Sequence, residues 1–514
     1  MRVSDLLSAS ARRFPERPAI FYQDQRYTFR DLDRRSNQLA HGLRALGLSK
    51  GDTLALFARN SPEWVEIYFG ASKAGLTLVP VNFRLKGPEL HYIVEHARAS
   101  ALIFDIELAP ELETTRASLG RELKCLAIGD GDAGGALHYA AFRDEGARSE
   151  PAAVGLHSLD VHSICYTSGT TGHPKGAVMT QANVVVGAFY AALASIGFTR
   201  DDVFLNIAPF CHRSGWPRMV QSIGVGAPQV VMRSFDPEGV LSLIEQHCAT
   251  VTSLVPTMVR LIEQNARGHS HDLSSLRQLV VGGEACPRGV KEAIFELVPR
   301  IELLTVFAST EAGLVSLLGS EEQLERADSA GLPFSGVELR IVDDDGNALP
   351  AKQVGEVAVR SGRPGEAGVM LEYSRDPEAN QTALHESWFR TGDTGFLDDE
   401  GYLYLTDRKK DMILSGGLNI YSKEVEMVLL EHAAVAEAAV VGRADPTWGE
   451  AVVAFVVPKP DAVVDKDALV VHCKERLASY KKPREIRFVE GLPKNSVGKL
   501  LKYRLRESLK QEQE

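Results

Sequence analysis

Apolar residues first recur at helical spacing. Val3, Leu6, Leu7, Ala11 and Phe14 share one face of a 3.6-residue repeat and predict an amphipathic helix at the start of the chain. From about residue 160 short β-rich runs alternate with helical patterns. "HSICYTS" reads as a buried strand leading into a glycine-rich loop, and "QVVM", "LRQLVV" and "IELLTVF" read as further strands. Between them Asp236-Pro237 supplies an N-cap and a first helical residue, followed by Val240, Leu243, Ile244 and His247 on one face. After Pro287, the spacing of Val290, Ala293, Ile294 and Leu297 predicts a helix packed on a sheet. Such alternation implies a largely parallel, layered α/β sheet.

The pattern changes near residue 331. "VELRIVDDDGNALP" places an Asp345-Gly346 turn between β-rich runs, and "GEVAVRS" and "GYLYLTD" follow, which predicts a small antiparallel β unit. The charged run "DRKKDMI", Asp407 to Ile413, marks a boundary at Arg408 to Lys410. Beyond it "SKEVEMVLLEH" and "KDALVVHCKERLASY" are helical and "AEAAVVG" and "EAVVAFVVP" are strands, a separate α+β pattern. The expected division is residues 1–409 and residues 410–514.

Composition narrows the class. A chain of 514 residues exceeds one ordinary domain. With 44% hydrophobic and 24% charged residues it has ample core for a soluble globular protein. A net charge of -11 argues against a nucleic-acid binder, which normally shows a basic face. Six scattered cysteines include no C-x-x-C pair, so neither a disulfide framework nor a zinc site is expected, and a cytoplasmic location fits. The N-terminal stretch has no apolar signal core. The longest apolar run, Val184 to Phe198, is interrupted by Gly187, Ser195 and Gly197 and falls short of the roughly 20 residues of a membrane span.

The loop "YTSGTTGHPKGA", Tyr166 to Ala177, is the first candidate for chemistry. Glycines let successive backbone N–H groups turn toward one point. With the hydroxyls of Thr167, Ser168, Thr170 and Thr171, the nest suits phosphate oxygens, and Lys175 can meet a terminal phosphate. No Gly-Lys-Ser/Thr is present, so this is not a Walker A loop. On composition alone a flexible surface turn is an equal reading.

The full string resembles the phosphate-loop signature of the adenylate-forming superfamily of acyl-CoA synthetases, adenylation domains and luciferases. "FASTEAG", "WFRTGDTGFLDDEGYLYLTDRKKDMI", "SGGLNIYSKEVE" and "PKNSVGK" follow in the family's order, so the resemblance covers nearly the whole chain. It implies an α/β fold, with a large N-terminal domain of layered α/β sheets plus a small β unit, and a small mobile α+β C-terminal domain. It also implies an ATP-dependent acid–CoA ligase. A carboxylate attacks the α-phosphate of ATP, pyrophosphate leaves, and a thiol then displaces AMP. ATP, Mg2+ and coenzyme A are the implied co-substrates and metal.

Family positions carry over residue by residue. Thr167 to Gly172, including Gly169, and Lys175 match the phosphate loop. Glu311, after Ser309 and Thr310, matches the magnesium-binding glutamate. Phe307 stands where the family usually has a tyrosine stacked on adenine; the stack survives the change and any role of the hydroxyl does not. Ala308 replaces a usual glycine. Gly283, Glu284 and Ala285, within "GGEAC", resemble the segment on the other side of adenine. Asp393 and Arg408 match the residues on the ribose hydroxyls. Lys499 matches the lysine that reaches the attacking carboxylate and α-phosphate; standing alone it would read as a solvated residue near a basic tail. Lys410 matches the hinge about which the small domain rotates to present its "SGGLN" face, with Gly417, to the thiol.

Trp448 in "DPTWGE" and Tyr480, Lys482 and Arg484 in "SYKKPRE" combine rings able to stack on a purine with cations for phosphates, which suits the nucleotide end of coenzyme A. A core tryptophan and a solvated basic turn are the alternative. "APFCHRSGW" falls where the family forms its acyl pocket, and His212 matches a position near the junction with the thiol tunnel, with a positioning role. No acidic residue occurs from Phe204 to Trp216, which argues against an amino-acid substrate. Phe189, Tyr190, Phe210 and Trp216 line an apolar pocket or belong to the core. The favoured substrate is an apolar fatty or aryl acid. Loading of an acyl-carrier protein and ligation of a malonate-like dicarboxylic acid are the alternatives, the latter through Arg213 or Arg218, which otherwise read as solvated or phosphate-facing. A monomer or homodimer is expected.

Overall fold

The computed structural model describes residues 1–514 except 114, 116–118, 120–121, 168–173, 267–270, 409–410, 416–417, 447, 461, 463, 479, 495–499 and 513–514; at 408 and 419 it describes the backbone alone. Two compact units result. One comprises Met1–Ala327, Gly331–Leu339 and Val359–Phe389, and the other Asp328–Ala330, Arg340–Ala358 and Arg390–Glu514.

The expected alternation builds the first unit. Pro18–Tyr22, Gln229–Val231, Phe204–Asn206, Val251–Leu254, Gln278–Gly282 and Glu302–Ser309 are parallel neighbours in a nine-stranded sheet. Parallel strands covered on both faces need apolar residues throughout, and "QLVVG" and "ELLTVF" supply them. An eight-stranded sheet runs from Glu372–Tyr373 through Lys175–Thr180, Val161–Thr167, Thr77–Val81 and Thr53–Phe57 to Ala101–Asp105 and beyond. One core joins these sheets through the helices Val3–Arg13, Phe29–Ala45, Pro62–Ala74 and Trp216–Val225.

Local signals act as read. Val3, Leu6, Leu7 and Ala11 are buried on the first helix. Asp236 caps Pro237–His247 by accepting from Gly239 N at 2.8 Å. In Arg288–Leu297 the buried set is Val290, Lys291 and Ile294; Lys291 extends its Nζ to Ala327 O at 2.8 Å, so its stem lies in the core and its charge on a carbonyl. The segment from Asn183 departs from a plain α-helix: Asn183–Tyr190 is π-helical and Ala191–Ile196 is α-helical.

In the second unit the Asp345-Gly346 turn closes with Gly346 N on Asp343 O at 3.1 Å. The C-terminal sheet orders Leu418–Ile420, Ile413–Ser415, Gly449–Pro458 and Val435–Asp445, with Glu485–Phe488 parallel to Gly449–Pro458. Alternate residues serve opposite faces. Val440, Val452 and Ala454 pack with the helices Ser422–Glu431 and Lys466–Arg476, and Ala439, Val441, Val453 and Phe455 pack with Leu505 and Leu509 of Lys502–Gln511. Among the described residues no helix is long and apolar enough to cross a membrane. The six cysteines are all free thiols.

Candidate active site

The phosphate-loop candidate joins two antiparallel strands, Val161–Thr167 and Lys175–Thr180, with Thr167 opposite Lys175 in register. Ser168, Gly169, Thr170, Thr171 and Gly172 lie outside the described residues. The loop's flanks are fixed by the helix Gly87–His96: Tyr92 OH donates to Pro174 O at 3.2 Å, and His96 Nδ1 meets Tyr166 OH at 2.7 Å. Lys175 Nζ lies 3.6 Å from Asp376 and 5.2 Å from the centre of the Tyr373 ring.

Glu311 sits at this mouth. The strand Glu302–Ser309 turns back into Gly313–Leu318, and Ala312 N donates to Ser309 Oγ at 2.9 Å to close the turn. Gly313 has φ 75°, and a Cβ there would lie 2.8 Å from Gly368 O, so the turn requires glycine. The turn brings Glu311 Oε1 within 3.0 Å of Thr167 Oγ1 and 3.2 Å of Tyr373 OH, both donating. Both bonds fall on one carboxylate oxygen. Oε2 has no partner among the described residues, the arrangement a metal-binding glutamate requires. Phe307 and Ala308 occupy a bulge in the same strand, and Gly283, with φ 86°, follows the neighbouring strand Gln278–Gly282. Glu284 accepts from Thr257 Oγ1 at 3.4 Å, and Ala285 is exposed. Thus Gly283 to Ala285, Phe307, Ser309, Thr310 and Glu311 gather at one carboxyl edge of the sheet, where open α/β sheets bind ligands.

The segment 208–218 differs from expectation. Phe210 and Trp216 pack with Trp64 and Tyr68 at 5.2–6.0 Å in the core, and Phe189 is buried, while Tyr190 is exposed. Phe210 and Trp216 are therefore core residues, with ring partners supplied by the helix Pro62–Ala74, while Phe189 and Tyr190 pack on each other at 4.9 Å. His212 closes a turn by accepting from Gly215 N, and burial lowers its imidazole to about 4, so it is neutral at ordinary pH. Neither arginine is fully exposed, and both guanidinium groups are held by protein oxygens. Arg213 donates to Thr310 O, to Gly368 O at 3.3 Å and to Met179 Sδ at 2.9 Å, which pins the residue before Glu311. Arg218 donates to Ser253 Oγ and Gln221 Oε1, each at 2.6 Å.

In the second unit Asp393 lies opposite Arg408 in strand register, after Gly392 at φ 75°. Lys423 has Asp407 and Asp393 as its leading charge neighbours, and its burial lowers its pKa. Asp407 accepts from Ser422 Oγ at 2.6 Å and from Ser422 N, and Lys502 donates to the same hydroxyl while pairing with Glu426 at 2.7 Å. Trp448 is 42% exposed rather than core, with the Arg484 guanidinium 4.5 Å over its ring. Tyr480 is exposed too, with Lys481 5.8 Å over it. Lys410, Gly417 and Lys499 lie outside the described residues.

Sequence reasoning missed Tyr373, Arg213's bond to Thr310 and the Asp407–Ser422–Lys502 chain. Each links positions 62 to 97 residues apart, or 15 and 80 within the last, and no local pattern reports such pairing.

The description of the AMP-binding enzyme family matches residues 7–374, and that of the AMP-binding enzyme C-terminal domain matches residues 424–499. A feruloyl-CoA synthase of Amycolatopsis sp. is 35% identical, covering 96% of either chain. A long-chain-fatty-acid–CoA ligase of Mycobacterium tuberculosis, FadD13, is 36% identical over 94% of this chain and 93% of its own. Among solved structures, an anthranilate CoA ligase, AuaEII, in complex with anthranoyl-AMP superimposes with a TM-score of 0.90 at 30% identity, covering 100% of this chain and 98% of its own.

Proposed function

This chain belongs to the AMP-binding enzyme family, and we propose that its substrate is a carboxylic acid with an apolar aryl or alkyl body, which it joins to free coenzyme A. It is an AMP-forming acid–thiol ligase. A carboxylate oxygen attacks the α-phosphorus of ATP, the bond to the β-phosphate oxygen breaks, and pyrophosphate leaves. The thiol of coenzyme A, losing its proton, then attacks the acyl carbon, and AMP departs.

The observation that carries the site is the bond from Thr167, the strand end before the glycine loop, to Glu311. It puts a carboxylate with one free oxygen at the strand end that leads into the proposed phosphate loop. Glu311 would hold Mg2+, which usually takes one or two protein carboxylates and keeps several waters. When bound, the ion neutralises charge on the phosphates during transfer. Lys175 is held over Tyr373 for the outer phosphates, Phe307 and Gly283 to Ala285 bracket adenine, and Asp393 with Arg408 reads the ribose. Lys499 reaches the attacking carboxylate. His212, neutral, positions the acyl group rather than taking a proton. Lys410 is the hinge that exchanges the Lys499 loop for the Gly417 face, dividing the chain into residues 1–409 and 410–514.

The exposed Trp448–Arg484 pair supports free coenzyme A over a carrier protein, since an open ring under a guanidinium suits a purine and its phosphates. Six free thiols support a reducing, cytoplasmic setting. The test is acid-dependent release of pyrophosphate and AMP, with thioester formed from coenzyme A alone, across aliphatic, aromatic and dicarboxylic acids. Thioester formed only on a carrier protein overturns the choice of acceptor.

A further inference from the structure

Arg218 is a cation without an acid. It lies on the helix Trp216–Val225, and its two hydrogen bonds go to neutral oxygens, Ser253 Oγ and Gln221 Oε1, each at 2.6 Å. Its third neighbour is the ring of Phe198, 5.0 Å from the guanidinium carbon. Among the described residues no carboxylate pairs with it, whereas Arg35, Arg143, Arg277 and Arg390 all pair with carboxylates. Burial alone lowers its pKa to about 10. A buried, unpaired cation costs several kcal/mol, and a core built only for stability would place a leucine or methionine here. Yet the residue keeps part of its surface accessible. A ligand can therefore reach the guanidinium.

Arg218 is near the candidate active site. Ser253 stands near the carboxyl end of Val251–Leu254, opposite Val280 in the next strand, and Val281 of that strand stands opposite Thr305 of the strand that carries Phe307. The Ser253 and Phe307 strands are two apart, about 10 Å at the ordinary strand spacing. The same segment of chain reaches both places, since Arg213, five residues earlier, is bonded to Thr310 beside Glu311. An acid activated next to Glu311 can therefore extend its far end toward Arg218. Gln221 holds the guanidinium from one side and is itself fixed by donating to Ala188 O at 2.7 Å. The fork is oriented in advance.

We propose that Arg218 receives a second, distal carboxylate on the acid substrate, so that this ligase favours acids bearing an anionic group at the end remote from the carboxylate it activates. The proposal rests on the acid–CoA ligase reading above and narrows its substrate class. An apolar body still fills the pocket, and its terminus is charged.

The experiment compares matched pairs on the full chain with ATP, Mg2+ and coenzyme A: benzoate with terephthalate, and octanoate with octanedioate. Each pair differs only in the distal carboxylate. In at least one pair the diacid has the higher kcat/KM by about 10-fold or more, the range of a charge-assisted hydrogen bond. Arg218→Met lowers that diacid-to-monoacid ratio by about 30-fold or more, and Arg218→Lys retains part of it. A monoacid preference in both pairs in the unaltered enzyme overturns the proposal, and this result needs no variant to fold. An unchanged ratio in Arg218→Met overturns it as well. If monoacids are ligated and diacids are not, the ligase reading stands and only Arg218's role falls. If no acid in the panel releases pyrophosphate, the ligase reading falls and takes the proposal with it.

Discussion

Tyr373 is the sharpest test of the metal-binding reading of Glu311. Its hydroxyl and the Thr167 hydroxyl together hold Oε1, at 3.2 and 3.0 Å, and so fix where Oε2 points. Tyr373→Phe removes one of these donors and keeps the ring that Lys175 covers at 5.2 Å. A glutamate side chain carries about 1.5–2 kcal/mol of rotamer entropy. With one of two tethers gone, roughly half of that is regained in the free enzyme and must be given up when the ion binds. That is about 0.8 kcal/mol, or about a 4-fold rise in the magnesium concentration for half-maximal adenylation. Glu311→Gln removes the charge itself and raises it more, by about 10-fold or greater. Tyr373→Leu adds the loss of the ring under Lys175 and should raise KM for ATP as well. The assay is acid-dependent pyrophosphate release at saturating ATP across a magnesium series, with urea midpoints as a check that the variants stay folded. Coincident magnesium curves for wild type, Tyr373→Phe and Glu311→Gln would refute the reasoning, since Glu311 would then be a structural carboxylate.

Four further outcomes are expected. Lys499→Ala abolishes acid-dependent pyrophosphate release yet still converts supplied acyl-adenylate and coenzyme A to thioester; equal loss of both steps sinks the division of labour. Lys410→Pro, by fixing φ at the hinge, slows thioester formation more than adenylation, and unchanged thioester formation removes Lys410 from that role. Asp407→Asn weakens the charge-assisted bonds from Ser422 and should lower stability by about 2–3 kcal/mol in urea unfolding; a shift under about 0.5 kcal/mol shows that the buried chain to Lys502 is not structural. Burial depresses His162 to about 3. The unfolded chain therefore binds a proton that the folded one refuses, and the contribution is intact above about 6.5 and lost as pH falls toward 3. At pH 5 this costs about 2 kcal/mol relative to pH 8, and His162→Phe should flatten that part of the stability profile.

The fold was legible wherever one element's burial is written in its own residues. The parallel strands around Gln278–Gly282 read as continuous apolar runs because both faces are covered, and Asp236-Pro237 announced its helix by chemistry local to the first turn. Glu311, Thr167 and Lys175 stand out as candidates for a different reason: they sit in short strings whose composition is odd for any core, and the strings resemble a known family. The aromatic residues of 189–216 left two readings open. A ring that lines a pocket and a ring that fills a core carry the same letter, and what separated them was Trp64 and Tyr68, about 150 residues upstream of Phe210 and Trp216, which no local pattern connects to them.

The arginines of "CHRSGWPR" show what kind of information the sequence withholds. The segment is rich in loop formers, so exposure was the natural expectation for both. In the structure Gly215 ends the loop and the helix Trp216–Val225 begins at once, which turns Arg218 inward against Ser253. Arg213, still in the loop, is captured by the carbonyls of Thr310 and Gly368. The two differ in how their charge is compensated. Backbone carbonyls from two segments can satisfy a guanidinium without a counterion, and doing so they fix the turn that presents Glu311. A serine hydroxyl and one amide oxygen satisfy only part of a guanidinium and leave its charge unanswered. Burial alone would make both look structural. Counting the partners separates a residue that positions the reacting end of the site from one whose missing partner has to come from outside the chain.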